Sequence, residues 1–170
     1  MDKINQFLTF RIKDEEYALC VSNVKEILEV PQITRIPRMP AYMRGVINLR
    51  GSVVPVIDLR KKFSLGDTET TAETAIIVIE IPLKEDENDK QLTVGIFADA
   101  VHKVLTIEES SIEPPPKIGL AINTAFIAGM GHVDNNFITI LEIAEILSRE
   151  DIDQVHTQEN QNVPTGTRTE

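Results

Sequence analysis

Three histidines, His102, His132 and His156, are the only imidazoles in the chain, and their spacing bounds its acid–base and metal chemistry. None stands four residues from another, as two ligands on one helical face would, and no His-Glu-x-x-His pairing occurs. No carboxylates are spaced as in a calcium loop, and the acidic run Glu85–Asp89 reads as a solvated hairpin loop. His132 is the best single candidate for proton transfer, because Asp134 would share its face of a strand; a surface histidine beside a turn is the simpler account. Gly129-Met-Gly131 begins a dinucleotide fingerprint but lacks the third glycine and the helix that must follow, so it reads as a tight packing site. Neither Gly-x-x-x-x-Gly-Lys nor Gly-x-Ser-x-Gly is present. The one cysteine, Cys20, rules out an internal disulfide and a cysteine metal cluster, and its apolar run Tyr17–Val21 marks it as a buried small hydrophobe. No catalytic residue, metal ligand or cofactor is assigned, and the chain is expected not to be an enzyme.

The basic residues are unevenly placed. Arg35, Arg38, Arg44, Arg50, Arg60, Lys61 and Lys62 crowd one stretch of a chain whose net charge is −10. That charge opposes binding to a nucleic-acid backbone, so no nucleic-acid partner is expected. No apolar run approaches the ~20 residues that span a bilayer, and the N-terminus lacks a secretion signal. The expectation is a cytoplasmic protein with no direct membrane insertion.

The elements that must hold these residues are mostly strands. Arg44 to Leu59 reads as a hairpin, in which Val46–Leu49 and Val53–Ile57 flank the break Arg50-Gly51-Ser52. The same order of aromatic, glycine, apolar run, polar break, apolar run and acid recurs from Phe126 to Ile143, 84 residues later. Asn23–Val30 likewise matches Ala100–Ile107 at an offset of 77, with seven extra residues around Lys117–Thr124 accounting for the shift. The matches run in the same order, which indicates an internal duplication. Each copy would hold about five short strands and close into an SH3-like or OB-like barrel, which removes exposed strand edges. Val53–Ile57 is apolar on both faces, so one face fills its own barrel and the other needs a second surface.

Further elements complete the reading. Phe7–Ile12 and Glu16–Val21 are strands around an Asp14-Glu15 turn, and Ser22 or Asn23 caps a brief helix over Val24–Leu28. Pro31, Pro37 and Pro40 make a stiff connector, Asp58–Phe63 a helical turn, and Gly66–Glu73 a boundary between the two halves. Ala75–Pro82 pairs with Leu92–Ala98 across the Lys84–Lys90 loop, and Pro114-Pro115-Pro116 is a second rigid connector. Pro55 belongs at a strand edge or bulge. Leu141–Leu147 is an amphipathic helix, so residues 1–149 form the folded domain and 150–170 a flexible polar tail.

The order Glu26-Ile27, Ile33-Thr-Arg-Ile36, Pro40, Arg44-Gly-Val-Ile-Asn-Leu-Arg-Gly51, Val54-Pro-Val-Ile-Asp-Leu-Arg60, Phe63 closely resembles the CheW family of chemotaxis coupling proteins. The resemblance runs from about Phe7 to Leu147 and implies an all-β fold with minor α: two intertwined, SH3-like, five-stranded barrels with short helices. The same domain regulates the CheA histidine kinase and is joined to a receiver in CheV proteins; no kinase or receiver motif accompanies it here. The implied role is a non-enzymatic scaffold between chemoreceptor cytoplasmic tips and the CheA regulatory domain, recruited to membrane-associated receptor arrays. Carried over to this sequence, the receptor-binding residues are Val24, Glu26, Gly45 and Arg50, and the kinase-binding residues Ile33 and Val53. Five of the six also have a plain structural role: close packing for Gly45, turn organisation for Arg50, an exposed charge for Glu26, and core packing for Val24 and Val53. The other readings are a small-ligand or oligosaccharide-binding double barrel and an enzyme using His132.

Overall fold

Runs of β-branched residues and period-two alternation make eleven strands in this computed structural model, which describes residues 4–66, 69–82, 91–115 and 124–146. They are β1 (Ile4–Ile12), β2 (Glu15–Cys20), β3 (Val24–Glu29), β4 (Met43–Leu49), β5 (Ser52–Asp58), β6 (Ala75–Pro82), β7 (Gln91–Ala98), β8 (Ala100–Glu108), β9 (Ile112–Glu113), β10 (Ile127–Val133) and β11 (Asn136–Leu141). Two single helical turns, α1 (Leu59–Lys62) and α2 (Ile143–Ile146), follow the two repeated hairpins.

The strands form two sheets, ordered β3-β6-β7-β5-β4 and β8-β1-β2-β11-β10-β9. Replacing each strand by its repeat turns the first order into the second, with β9 added. Each sheet has a single parallel contact, β5 with β7 and β11 with β2. The duplication extends to irregularities: β4–β5 shifts register between Met43 and Gly45, and β10–β11 between Ile127 and Gly129. Each sheet curls into a small SH3-like barrel.

The barrels are not the two halves of the chain. Hairpin β1–β2 pairs with β8 and β11, while hairpin β6–β7 pairs with β3 and β5. Each barrel therefore borrows a hairpin from the other half, and Gly66–Glu73 separates sequence halves without separating two bodies. Ile57, Ile77, Ile79 and Ile96 from one sheet meet Leu8, Phe10, Tyr17 and Leu19 from the other in the largest buried cluster. Each such side chain contributes about 1.5–3 kcal/mol on burial, so this seam binds the barrels into one unit. Val54 and Val56 fill the first barrel while Ile57 enters the seam, as the two-faced apolar run requires.

Several expectations are corrected. Val24–Leu28 is strand β3, preceded by one 3-10 turn over Val21–Asn23; its burial alternates residue by residue and it pairs with β6. Tertiary pairing here overrides the capping signal at Ser22-Asn23. Pro55 lies in an interior strand, not an edge strand. Val46 donates its N–H to the Thr34 carbonyl and its own carbonyl accepts the Thr34 N–H, leaving Val46 and Pro55 a non-hydrogen-bonded pair, and the β5–β7 ladder begins only at Val56. Leu141 ends β11, so the final helix begins later. Cys20 is half-buried, its Sγ 3.0 Å from the Ser22 hydroxyl. The Lys84–Lys90 loop, Pro116, residues 117–123 and Leu147, and the 150–170 tail, lie outside the described residues.

Candidate functional site

The candidate residues gather at one end of the first barrel because a two-residue turn puts them there. Arg50 and Gly51 both have positive φ, 54° and 88°, the conformation that joins β4 to β5 without splaying them. The Asn48 side chain accepts the Gly51 N–H at 2.8 Å and braces the turn. A non-glycine residue in this region costs roughly 1–2 kcal/mol. Arg50 bears that cost while leaving its side chain 74% exposed.

Its guanidinium reaches across the barrel to β3, where Nη1 is 3.1 Å from Glu26 Oε2 and Nη2 is 3.3 Å from Oε1. β3 and β4 are the two outer strands of this sheet, so the bidentate pair closes the mouth of the barrel. Glu26 is correspondingly only 20% exposed, against the expectation of an exposed charge. Beside the pair, Lys25, Arg50, Val53, Gln91 and Thr93 border a cleft of about 310 Å³, and Val53 stands out from it, 37% exposed.

The structure thus joins Glu26, Arg50 and Val53 and leaves the other three apart. Val24 is half-buried and packs on the seam. Gly45 is buried at φ +144°, and the Thr34 carbonyl oxygen of the proline connector occupies the space a Cβ would need. Ile33 lies against Gly45 and packs on the first-barrel core. Gly45 pairs with Val56 and Asn48 with Val53, so Ile33 and Val53 sit about three residues, roughly 10 Å, apart along the hairpin.

Much of the basic cluster is neutralised internally. Arg44 lies 3.5 Å from the buried Asp58 carboxylate and 4.9 Å over the Phe97 ring. Asp58 also caps α1, accepting from the N–H groups of Arg60 and Lys61. Arg60 meets Asp99 at 3.2 Å, and Asp99 also accepts the Lys13 N–H, tying α1 to the β1–β2 turn of the other barrel. Lys62 sits 4.3 Å over the Tyr42 ring, where burial lowers its pKa. Sequence reasoning misses the roles of Asp58 and Asp99. The acid following each hairpin is a visible signal for the first; nothing local points to the second.

The expected His132–Asp134 pair does not form one strand face. Asp134 is in the turn, φ 47°, and His132 packs against Phe137 with ring centroids 5.0 Å apart. Among the described residues no helix is long and apolar enough to cross a membrane, and no group of three His, Cys, Asp or Glu could hold a metal ion.

Residues 6–151 match the family model described as the CheW-like domain. The chain is 34% identical over 147 residues to the chemotaxis protein CheW of Klebsiella aerogenes, covering 86% of this chain and 84% of that protein. It is 35% identical over 149 residues to the Helicobacter pylori chemotaxis protein CheW, covering 88% and 85%. The crystal structure of the scaffolding protein TtCheW from Thermoanaerobacter tengcongensis is similar, with a TM-score of 0.76, 35% identity, and coverage of 88% of this chain and 91% of that one. Two interlocked barrels, a duplicated strand order and a match spanning nearly all the described residues agree: the chain belongs to the CheW family.

Proposed function

We propose that this chain is a non-enzymatic scaffold of chemotaxis signalling. It holds chemoreceptor cytoplasmic tips and the regulatory domain of a CheA-type histidine kinase together, so that receptor state controls kinase activity. The 1–149 domain carries this role in the cytoplasm, recruited to membrane-associated receptor arrays. The observation that carries the reading is Arg50. It occupies a costly backbone region and stays largely exposed. An exposed ion pair contributes at most about 1 kcal/mol, which does not fully offset the turn strain. Strain kept at an exposed charge points to recognition. Glu26 aims that charge, Val53 supplies an apolar contact beside it, and Ile33 extends the kinase-facing side. Val24 and Gly45 serve the receptor contact by holding β3 and the connector in place. Family membership leaves the small-ligand or oligosaccharide reading without support.

The test is reconstitution with a receptor cytoplasmic fragment and a CheA-type kinase, following kinase autophosphorylation. Activation that depends on this chain is expected. Arg50→Glu should weaken receptor or kinase coupling about tenfold, equivalent to about 1.4 kcal/mol, without unfolding the barrel, the stability loss staying near the ~1 kcal/mol of the exposed Glu26 pair. Intact ternary assembly and normal receptor control in that variant would remove Arg50 from the interface. Val53→Asp should lower kinase affinity selectively; unchanged affinity in a folded variant refutes its assignment.

A further inference from the structure

The mouth of the second barrel repeats that of the first with its charges exchanged. Backbone register establishes the equivalence independently of residue similarity. β3 carries one extra residue against β6 between Val24 and Glu26, and β8 carries one extra residue against β1 between Val101 and Val104, opposite Leu8 to Phe10. Both hairpins turn on two residues of positive φ, Arg50-Gly51 and Asp134-Asn135. Glu26 therefore corresponds to Lys103, and Arg50 to Asp134. In the first barrel the pair is made. In the second, among the described residues, no ion pair joins Lys103 to Asp134.

The consequence is an open mouth. The second cleft encloses about 690 Å³ against about 310 Å³ for the first. Leu105, Met130 and Val133 line it, and Phe137, the counterpart of Val53, stands 54% exposed at its rim. Of the other charged or titratable groups lining it, Glu16 is held by His102 at 2.6 Å and Glu15 accepts the Tyr17 hydroxyl at 3.2 Å. Lys103 is thus the cation left for Asp134. An Asp–Lys pair has a shorter combined reach than Glu–Arg, so it can be made only if the hairpin moves inward.

We propose that hairpin β10–β11 is a flap that closes the second barrel when Asp134 reaches Lys103, covering Phe137 and Val133. In the first barrel the longer Arg50 and Glu26 side chains meet without movement of the hairpin; in the second the shorter pair requires it. An exposed ion pair is weak, which makes the closure reversible and salt-sensitive.

Spin labels at Asn135→Cys and Val104→Cys, in a Cys20→Ser background of the full chain, report the gap by pulsed dipolar spectroscopy. The expected distribution has a shorter-distance population at low salt that diminishes at about 1 M salt, where the screening length falls to ~3 Å. Lys103→Glu and Asp134→Lys should each abolish it, and the two together should restore it. One distance common to all variants, or a short population indifferent to charge and salt, overturns the proposal. The salt titration of the unreversed protein separates these outcomes even if a reversal variant misfolds.

Discussion

The two barrels share a template but use their side chains differently. In the first, half-buried Arg44 joins the buried Asp58 carboxylate and the Phe97 ring in one cluster. Their counterparts Ala128, Glu142 and Cys20 form no such cluster, and Glu142 is exposed. Both keep the backbone bond that positions the acid, Asp58 N–H to Tyr42 O and Glu142 N–H to Phe126 O. In the first turn an arginine sits in a left-handed conformation it does not favour; in the second, Asp134 and Asn135 tolerate it well. The fold therefore depends on the shared backbone and apolar positions. The polar departures mark what each barrel does beyond folding.

The glycine pair tests this most strongly. Gly45→Ala should cost about 4 kcal/mol, combining a strained φ with a backbone clash at Thr34 O. Gly129→Ala should cost less, about 1–3 kcal/mol, because its φ is not left-handed and its nearest backbone atom, the Glu113 carbonyl oxygen, stands 3.1 Å away, although the Ile112 γ2 methyl at 2.6 Å must give way. Urea unfolding of both variants checks the ranking, and equal losses would make the two close approaches equivalent.

The acids come next. Asp58→Ala leaves Arg44 half-buried without this partner and uncaps α1, an expected loss of about 3 kcal/mol. Glu142→Ala, on the exposed counterpart, should change stability by less than about 0.5 kcal/mol in the same assay.

The smallest effect concerns Tyr17, whose counterpart is the non-titrating Val94. Burial, reinforced by the Glu15 charge and hydrogen bond, holds the Tyr17 pKa well above the ordinary value of 10.0. Above that value the unfolded chain releases the proton and the folded chain keeps it, so stability is full below pH 10.0 and falls as pH rises beyond it. Tyr17→Phe should flatten that decline in denaturation midpoints measured from about pH 9 to about pH 11. An unchanged slope would assign the alkaline loss to other groups.

The hairpins are legible because their information is local. β-branched runs, two-residue turns and the acid after each hairpin lie within about sixteen residues of one another, and the same signals repeat at a constant offset. The family motif occupies the same stretch. Val24–Leu28 misleads because its capping signal is local while its pairing partner β6 lies some fifty residues away. The site is legible in part: Arg50 and Val53 stand on the readable hairpin, but the Glu26 partner and the Asp99 clasp do not.

By itself the sequence determined most of the strand and turn preferences, the duplication and the apolar faces that had to be covered. Only the tertiary structure decided which hairpin completes which barrel, that Glu26 and Arg50 meet across it, and that the reversed pair in the second barrel stands open. The reason is that strand pairing between distant segments is selected by the total apolar area buried in the shared seam. No short stretch of sequence contains that quantity.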